Sequence, residues 1–111
     1  MINFFIKNKI KICKLKEGHK GKVINWDSKA KIYFECYLLD GTKVNEGEQI
    51  IVLKARRIIK GFRLGLLGME ENEERMVTVP ADLAYKNNKN LKDETLRNDL
   101  KFKVKVLEIY D

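Results

Sequence analysis

The chain has 111 residues, of which 44% are apolar and 35% are charged, and its formal net charge is +7. This composition predicts one folded domain whose core needs no metal or disulfide to hold it, and it excludes a disordered tail and a repeat array. No apolar run approaches the length of a membrane-spanning helix or an export signal, so we expect a soluble protein of the cytoplasm.

The first part of the chain carries the patterns of β-strands. Residues 9–15 alternate lysine with apolar side chains, which is the period of a half-buried strand. Residues 17–21 contain two glycines and predict a turn, and residues 22–26 predict a short strand. Residues 30–38 predict a longer strand, because every second side chain is apolar. Asp40-Gly41 then gives a strong two-residue hairpin signal.

The middle of the chain changes from strand to helix. Gly47 indicates a further bend, and residues 49–53 form an apolar run of strand length. Residues 58–69 follow a helical period, with Phe62, Leu66 and Met69 on one face. Three glycines weaken this helix by about 1 kcal/mol each relative to alanine, so it must lie close against a sheet that compensates.

The last third returns to strands. Four glutamates between residues 70 and 74 predict an acidic turn, and residues 75–79 predict a strand that Pro80 ends. Residues 81–85 can make one helical turn, and the polar residues 86–98 predict turns. Residues 100–106 alternate apolar residues with lysine as a final strand, and the alternation shifts at Leu107, which indicates a bulge.

Few residues could support conventional catalysis or bind a metal. Cys13 and Cys36 lack the spacing of a metal or redox motif, and we expect two reduced thiols. His19 is the single histidine, so neither a metal centre nor a nucleophile–histidine system is expected. The sequence therefore predicts no metal and no cofactor.

The positive charge is concentrated in the first half. Residues 1–60 hold fourteen Lys or Arg against six Asp or Glu, whereas residues 61–111 hold nine against ten. Such a face could meet nucleic acid, a ribosome or anionic lipid. The lysines alternate with apolar residues and are not interleaved with stacking aromatics, so a solvated strand face is the favoured interpretation.

Five segments follow one another in a characteristic order. They are the glycine turn at residues 18–21, the Leu39-Asp40-Gly41-Thr42 hairpin, the Ile58–Met69 segment, the Arg75–Tyr85 segment with its Val-Pro and Leu-Ala-Tyr, and the closing strand at residues 100–109. Together they resemble the FKBP-type peptidyl-prolyl isomerase family. Each motif alone is weak, and their order and spacing make the resemblance specific.

The resemblance implies an α+β fold in which a twisted antiparallel sheet of about five strands wraps around one short α-helix. Residues 1–9 would be a short N-terminal extension, and residues 10–111 would be the FKBP-like domain. An apolar pocket would lie between helix and sheet, and we expect a monomer that binds proline-containing polypeptides.

The resemblance also assigns site residues. Those expected to act on the reacting peptide bond are Phe34, Ile59, Tyr85 and Phe102, with the Ile59 N–H bonding a ligand carbonyl and the Tyr85 hydroxyl at the rim. Those expected to contact substrate are Val44, Asn45, Gln49, Ile58, Phe62 and Leu96. Catalysis would need no nucleophile, because an apolar site favours the twisted, less delocalised amide over the planar one.

Several positions depart from the family pattern. Val44 and Gln49 stand where pocket aromatics are expected, Asn45 replaces an aspartate, and Lys86 replaces a glycine. The loop at residues 45–48 is expected to be short. We therefore expect a shallower, wetter site with attenuated activity. The alternative is a binding or chaperone module without turnover, and a further alternative is a scaffold that docks an acidic partner through its basic half.

Overall fold

The computed structural model describes residues 3–7, 9–55, 58–89, 91 and 93–110. Within these residues it contains eight strands, one α-helix and two short 3-10 turns, at Ala81–Leu83 and Glu94–Arg97. The helix α1 spans Lys60–Leu66, and the strands are β1 (Asn3–Lys7), β2 (Ile10–Lys16), β3 (His19–Val23), β4 (Lys29–Leu38), β5 (Lys43–Val52), β6 (Glu70–Glu71), β7 (Glu74–Val79) and β8 (Leu100–Tyr110).

The strands form one large sheet and one small one. The large sheet has the order β1-β2-β7-β8-β4-β5, and the small sheet pairs β3 with β6. All neighbouring pairs are antiparallel. The predicted fold class is confirmed: one helix packs on an antiparallel sheet. The large sheet has six strands rather than about five, because Asn3–Lys7 adds as an edge strand. The boundary proposed between residues 9 and 10 stays a prediction.

The central strands alternate as predicted, and this alternation builds the core. On β4 the side chains of Ala30, Ile32, Phe34 and Cys36 are buried, and on β8 those of Leu100, Phe102, Val104 and Val106 are buried. The two strands lie side by side with Cys36 opposite Phe102 and Phe34 opposite Val104. Burial of these apolar side chains removes them from water and is the main source of stability.

The bulge predicted at Leu107 is confirmed. Lys31 faces Glu108 and the next residue, Ile32, faces Val106, so Leu107 has no partner on β4. The extra residue lets Ile109 return to the buried face, where it is 3% exposed.

The helix is shorter than the predicted 58–69 segment, but its glycines explain how it packs. Phe62 and Leu66 are buried against the sheet, as expected from their spacing. A Cβ atom on Gly61 would collide with Val79, and one on Gly65 would lie 2.5 Å from the Val77 side chain. The absence of side chains at these two positions therefore allows the helix to approach β7 closely.

A buried ion pair supports the C-terminal end of this helix. Glu73 and Arg75 are both buried, and the Arg75 guanidinium donates to the Glu73 carboxylate. The same guanidinium donates to the carbonyls of Gly65 at 3.1 Å and Leu67 at 3.0 Å. These carbonyls have no partner inside the helix, so Arg75 supplies one. Glu73 was predicted to lie in an acidic turn, and nothing in the sequence indicated this buried pair.

Four local predictions were wrong. Residues 19–21 lie in β3 rather than in a turn, and β3 ends at Val23 rather than continuing to Trp26. Gly47 does not bend the chain, because it lies opposite Phe34 within β5. Residues 45–48 are likewise part of that strand and not a loop. At residues 19–21 and 45–48, pairing with a neighbouring strand overrides the local turn preference of glycine.

Candidate functional site: an aromatic-floored cleft

A cleft of about 520 Å³ opens between the helix side of the molecule and the β4–β5 hairpin. Strands β4, β5 and β8 contribute walls and floor, and the segment entering α1 closes one side. The turn after β7 and the Glu94–Arg97 turn complete the rim. The lining residues are Phe34, Cys36, Asn45, Gln49, Ile50, Ile51, Ile58, Ile59, Phe62, Tyr85, Leu96 and Phe102.

Three phenylalanines form the floor. The ring of Phe62 contacts Phe102 edge-on, with centroids 4.9 Å apart, and it lies 6.3 Å from Phe34 in a similar geometry. All three are buried, at 9% exposure or less. Because Phe62 comes from the helix and the other two from adjacent strands, the floor forms only when the helix packs on the sheet. Edge-to-face contacts of this kind fix ring orientation.

Ile58 and Ile59 form the wall at the start of the helix. Both are half-buried and pack against the core. Ile59 is the N-cap residue, with extended backbone angles of φ −58° and ψ 142°. Its carbonyl accepts the Arg63 N–H at 3.1 Å, which begins the helix. The N–H of an N-cap residue takes no part in intrahelical bonding, so its position here suits a contact with bound peptide.

Tyr85 lies at the rim on a turn that is held from several sides. The Ala81 N–H donates to the Asp99 carboxylate at 2.7 Å, and the Lys86 N–H donates to the Ala81 carbonyl at 3.1 Å. Burial raises the pKa of the Tyr85 phenol, and nearby Cys36 adds a smaller contribution. The hydroxyl therefore stays protonated at neutral pH and can donate a hydrogen bond.

Cys36 also lines the cleft, two residues beyond Phe34 on the same strand face. Burial raises the pKa of its thiol to about 11, so it is neutral at physiological pH. A neutral thiol acts here as a small apolar side chain between the aromatic floor and β5.

The β5 side of the cleft is polar and open. Asn45 and Gln49 lie on the face of β5 that continues the buried face of β4, yet both are exposed. The position between them is Gly47, which offers no side chain above Phe34. The cleft therefore has an apolar floor and helix wall, and a wetter wall along β5.

Nine of the ten residues predicted for the site line the cleft together. The tenth, Val44, does not: Cys36 faces Asn45 and Tyr37 faces Lys43, so Val44 is the extra residue of a bulge. Its side chain packs against the core. Three further lining residues, Cys36, Ile50 and Ile51, were not predicted from the sequence. The period of two from Phe34 and from Gln49 would have indicated Cys36 and Ile51.

Other kinds of site find little support in the described residues. No three His, Cys, Asp or Glu side chains among them lie close enough to hold a metal ion. Likewise, none of the helices in the described ranges is long and apolar enough to cross a membrane.

Solved structures share this fold. FkpA from Escherichia coli superimposes with a TM-score of 0.79 at 18% identity, over 96% of this chain and 51% of that one. The three FKBP domains of wheat FKBP73 give 0.81 at 19% identity, over 98% of this chain and 49% of that one. The architecture is thus that of an FKBP domain.

Sequence comparison identifies the family itself. The family model for FKBP-type peptidyl-prolyl cis-trans isomerase matches residues 19–107, and the chain belongs to this family. The peptidyl-prolyl cis-trans isomerase Mip of Chlamydia trachomatis serovar D is 32% identical over 107 residues. That of Chlamydia muridarum is 31% identical over 107 residues. Each match covers 94% of this chain and 42% of the relative, so the chain spans less than half the length of these relatives.

Proposed function

We propose that this chain is a peptidyl-prolyl cis-trans isomerase that binds Xaa-Pro segments in the aromatic-floored cleft and assists protein folding. The observation that carries the proposal is the Phe34–Phe62–Phe102 floor beneath a protonated Tyr85 hydroxyl. A proline ring is compact and apolar and fits such a floor. Family membership supports the same reaction.

The arrangement suits the chemistry of the reaction. Rotation about a peptide bond has a barrier of about 18–20 kcal/mol, because the planar amide loses resonance as it twists. A planar amide is more polar than a twisted one and loses more when it leaves water. An apolar floor therefore favours the twisted form, and no covalent intermediate is needed.

We assign roles to the lining residues on this basis. Phe62 and Phe102 receive the proline ring, and Phe34 closes the wall beside it. The Ile59 N–H donates to a carbonyl of the bound peptide and so fixes its orientation. The Tyr85 hydroxyl donates at the rim, where a second peptide carbonyl would lie. Ile58 and Leu96 shield the site from water.

The β5 wall supports attenuated activity. Asn45 and Gln49 bring water to the side of the cleft where apolar shielding would most favour the twisted amide. The same observation supports the second candidate, a module that binds proline peptides without accelerating their isomerisation. Both use the same floor, and turnover alone separates them.

The state of the cysteines bears on the compartment. The two cysteines, half-buried Cys13 and buried Cys36, are unpaired. Unpaired thiols suit a reducing compartment, and we propose the cytoplasm, which fractionation would test. A monomeric state also stays a prediction, as does a solvated basic face in preference to nucleic-acid or ribosome contact.

A protease-coupled isomerisation assay with Leu-Pro and Phe-Pro peptides tests the proposal. We expect turnover above background. Tyr85→Phe should lower kcat/KM about three- to tenfold, the worth of one hydrogen bond. Phe102→Ala combined with Tyr85→Phe should abolish it. The pKa of Tyr85 is raised above its ordinary value, so the phenol stays protonated between pH 6 and 9. Ionisation of Tyr85 should therefore cause no loss of wild-type activity in that range.

Trp26→Ala is the matched control, since Trp26 is 45% exposed and does not line the cleft. It should leave kcat/KM unchanged. Peptide binding without turnover, by wild-type protein that is folded by circular dichroism, would reject the isomerase in favour of the binding module.

A further inference from the structure

The strand that forms the polar wall of the cleft is also an open edge of the large sheet. Four residues of β5 line the cleft: Asn45, Gln49, Ile50 and Ile51. In the part of the chain that the structure describes, β5 pairs with β4 and with no other strand. Residues 45–48 are paired throughout, so beyond the bulge at Val44 this edge is regular from Asn45 to Val52.

The pairing shows which backbone groups of β5 face outward. In antiparallel pairs, directly bonded residue pairs alternate with unbonded ones. The Leu53 N–H donates to the Ser28 carbonyl at 3.0 Å, and the Leu38 N–H donates to the Thr42 carbonyl at 2.8 Å. At both ends of the hairpin, the even-numbered residues of β4 are therefore the ones that hydrogen-bond to β5. The odd-numbered residues of β4 lie opposite Glu46, Glu48, Ile50 and Val52. The backbone N–H and C=O groups of these four β5 residues point away from β4.

Some of these outward groups are already used locally. The Val52 carbonyl accepts the Ala55 N–H at 3.0 Å, and the Glu46 N–H donates to the Asn45 side chain at 2.9 Å. Within residues 9–55 and 58–89, no hydrogen bond engages the outward backbone groups of Glu48 or Ile50. These two residues thus present a full donor–acceptor set beside the cleft, and the Val52 N–H adds a third donor.

The side chains distinguish the two ends of this edge. Glu46 and Glu48 are charged, which is how exposed edge strands discourage pairing. Residues 49–52 carry no charge, and the side chains of Ile50 and Val52 are 53% and 37% exposed. An added strand could cover both of them, because residues two apart lie on one face. We call the segment from Glu48 to Val52 the docking edge.

We propose that the extended segment flanking the bound Xaa-Pro bond adds as a seventh strand along the docking edge. The inference rests on the proposed function, since it concerns how the same cleft holds longer substrates. Ile50 belongs to both the cleft and the edge, so a peptide leaving the cleft meets the edge directly. Main-chain hydrogen bonds would supply affinity with little sequence preference. Uncharged β-branched or aromatic flanking residues would be favoured, because they pair well with Ile50.

Peptide length gives the first test. A capped tetrapeptide with a central Leu-Pro fills the cleft alone, and a ten-residue peptide with Val and Thr flanks reaches the edge. Fluorescence anisotropy should show about tenfold tighter binding of the long peptide, since two or three added hydrogen bonds suffice for that factor. Equal affinity of the two peptides would overturn the proposal.

Single N-methylation along the long peptide gives the sharper test. In a paired strand, alternate N–H groups face the neighbour, so methylation at every second residue on one side of the proline should weaken binding about tenfold. Methylation at the intervening residues should change affinity less than about twofold, which controls for the chemistry of methylation itself. A uniform effect at all positions would overturn the proposal.

Variants of the protein test the same hydrogen bonds from the β5 side. Ile50→Pro removes the outward N–H without removing a hydrogen bond to β4, and it should weaken the long peptide about tenfold. Ile50→Thr keeps the N–H and a β-branched side chain and is its control. Ile6→Lys, on the opposite edge strand and 70% exposed, should leave both affinities unchanged. Should Ile50→Pro fail to fold, the methylation series on wild-type protein still decides.

The outcomes separate this inference from the proposed function. Turnover of the tetrapeptide without a gain for the long peptide keeps the isomerase and rejects the docking edge. An alternating methylation pattern without any turnover keeps the docking edge and rejects the isomerase. Analytical sedimentation should accompany these experiments to detect a dimer. A dimer that forms through β5 and that the peptide does not dissociate would show that a second copy occupies the edge. That result would also reject the inference.

Discussion

Two side chains of the cleft owe their chemistry to burial. Tyr85 and Cys36 have raised pKa values, that of Cys36 reaching about 11, and the largest cause for each is removal from water. Both groups are therefore neutral at physiological pH, and neither adds a charge to the site. A neutral cleft suits a reaction whose transition state is less polar than its ground state.

Alkylation of Cys36 tests whether its thiol is neutral at physiological pH. Only the thiolate reacts, so the rate with iodoacetamide should rise about tenfold per pH unit between pH 8 and 10. Mass spectrometry of the Cys36 peptide measures it. A saturating proline peptide should slow the reaction, because Cys36 lines the cleft. Cys13, half-buried on β2, is the internal control and should not respond to the peptide. Protection of both cysteines alike would point to a global change in opening rather than to cleft occupancy.

The helix is the element on which the site depends. It brings Phe62 to the two sheet phenylalanines, and it can do so because Gly61 and Gly65 let it lie against β7. The glycines that weaken the helix locally are therefore required by its packing. The sequence indicated this conflict, but the identity of the contacting residues, Val77 and Val79, depends on tertiary structure.

Gly65→Ala should destabilise the protein by about 1–3 kcal/mol, despite the better helix propensity of alanine, because the new Cβ overlaps the Val77 side chain. Urea unfolding followed by circular dichroism measures the free energy. The double variant Gly65→Ala, Val77→Ala should lose less free energy of unfolding than the sum of the two single variants, because the smaller side chain at position 77 leaves room for the new Cβ. A stabilising Gly65→Ala would show that the helix can move away from β7 without loss.

For the molecule as a whole, charge is more evenly distributed than the sequence suggests. Lysines on the outer face of the sheet lie opposite carboxylates: Lys103 faces Glu35, and Lys105 faces Glu74. Lys31 forms an ion pair with Glu48 at 3.0 Å. The fold therefore intersperses both signs on this part of the outer sheet face, which disfavours an acidic partner there. Lys103 and Lys105 lie outside the basic first half, so docking through that half stays a prediction.

We expect single-stranded RNA to bind no tighter than about 10⁻⁴ M at 150 mM salt, which is the weak end of the range of non-specific contacts. Replacing Glu35 and Glu74 with glutamine unmasks the lysines, so that variant should bind more tightly and with a steeper salt dependence. Fluorescence anisotropy with a labelled oligonucleotide measures both. Wild-type binding near 10⁻⁶ M would revive the acidic-partner alternative.

The sequence by itself determined the elements with a strong period and the residues that gather at the cleft. Alternation placed β4, β7 and β8, helical spacing placed Phe62 and Leu66, and resemblance to a family placed nine of the ten predicted site residues on one lining. These features depend on local periodicity or on short motifs, so they can be predicted from the order of residues along the chain.

Tertiary structure decided the rest, because it depends on which strands become neighbours. Asn3–Lys7 became an edge strand through pairing with β2, and residues 45–48 became straight through pairing with β4. Glu73 became buried only because Arg75 and the end of the helix meet it. The open edge of β5 follows from its place at the end of the strand order. No local pattern encodes a missing neighbour, since that depends on the contacts of the whole chain.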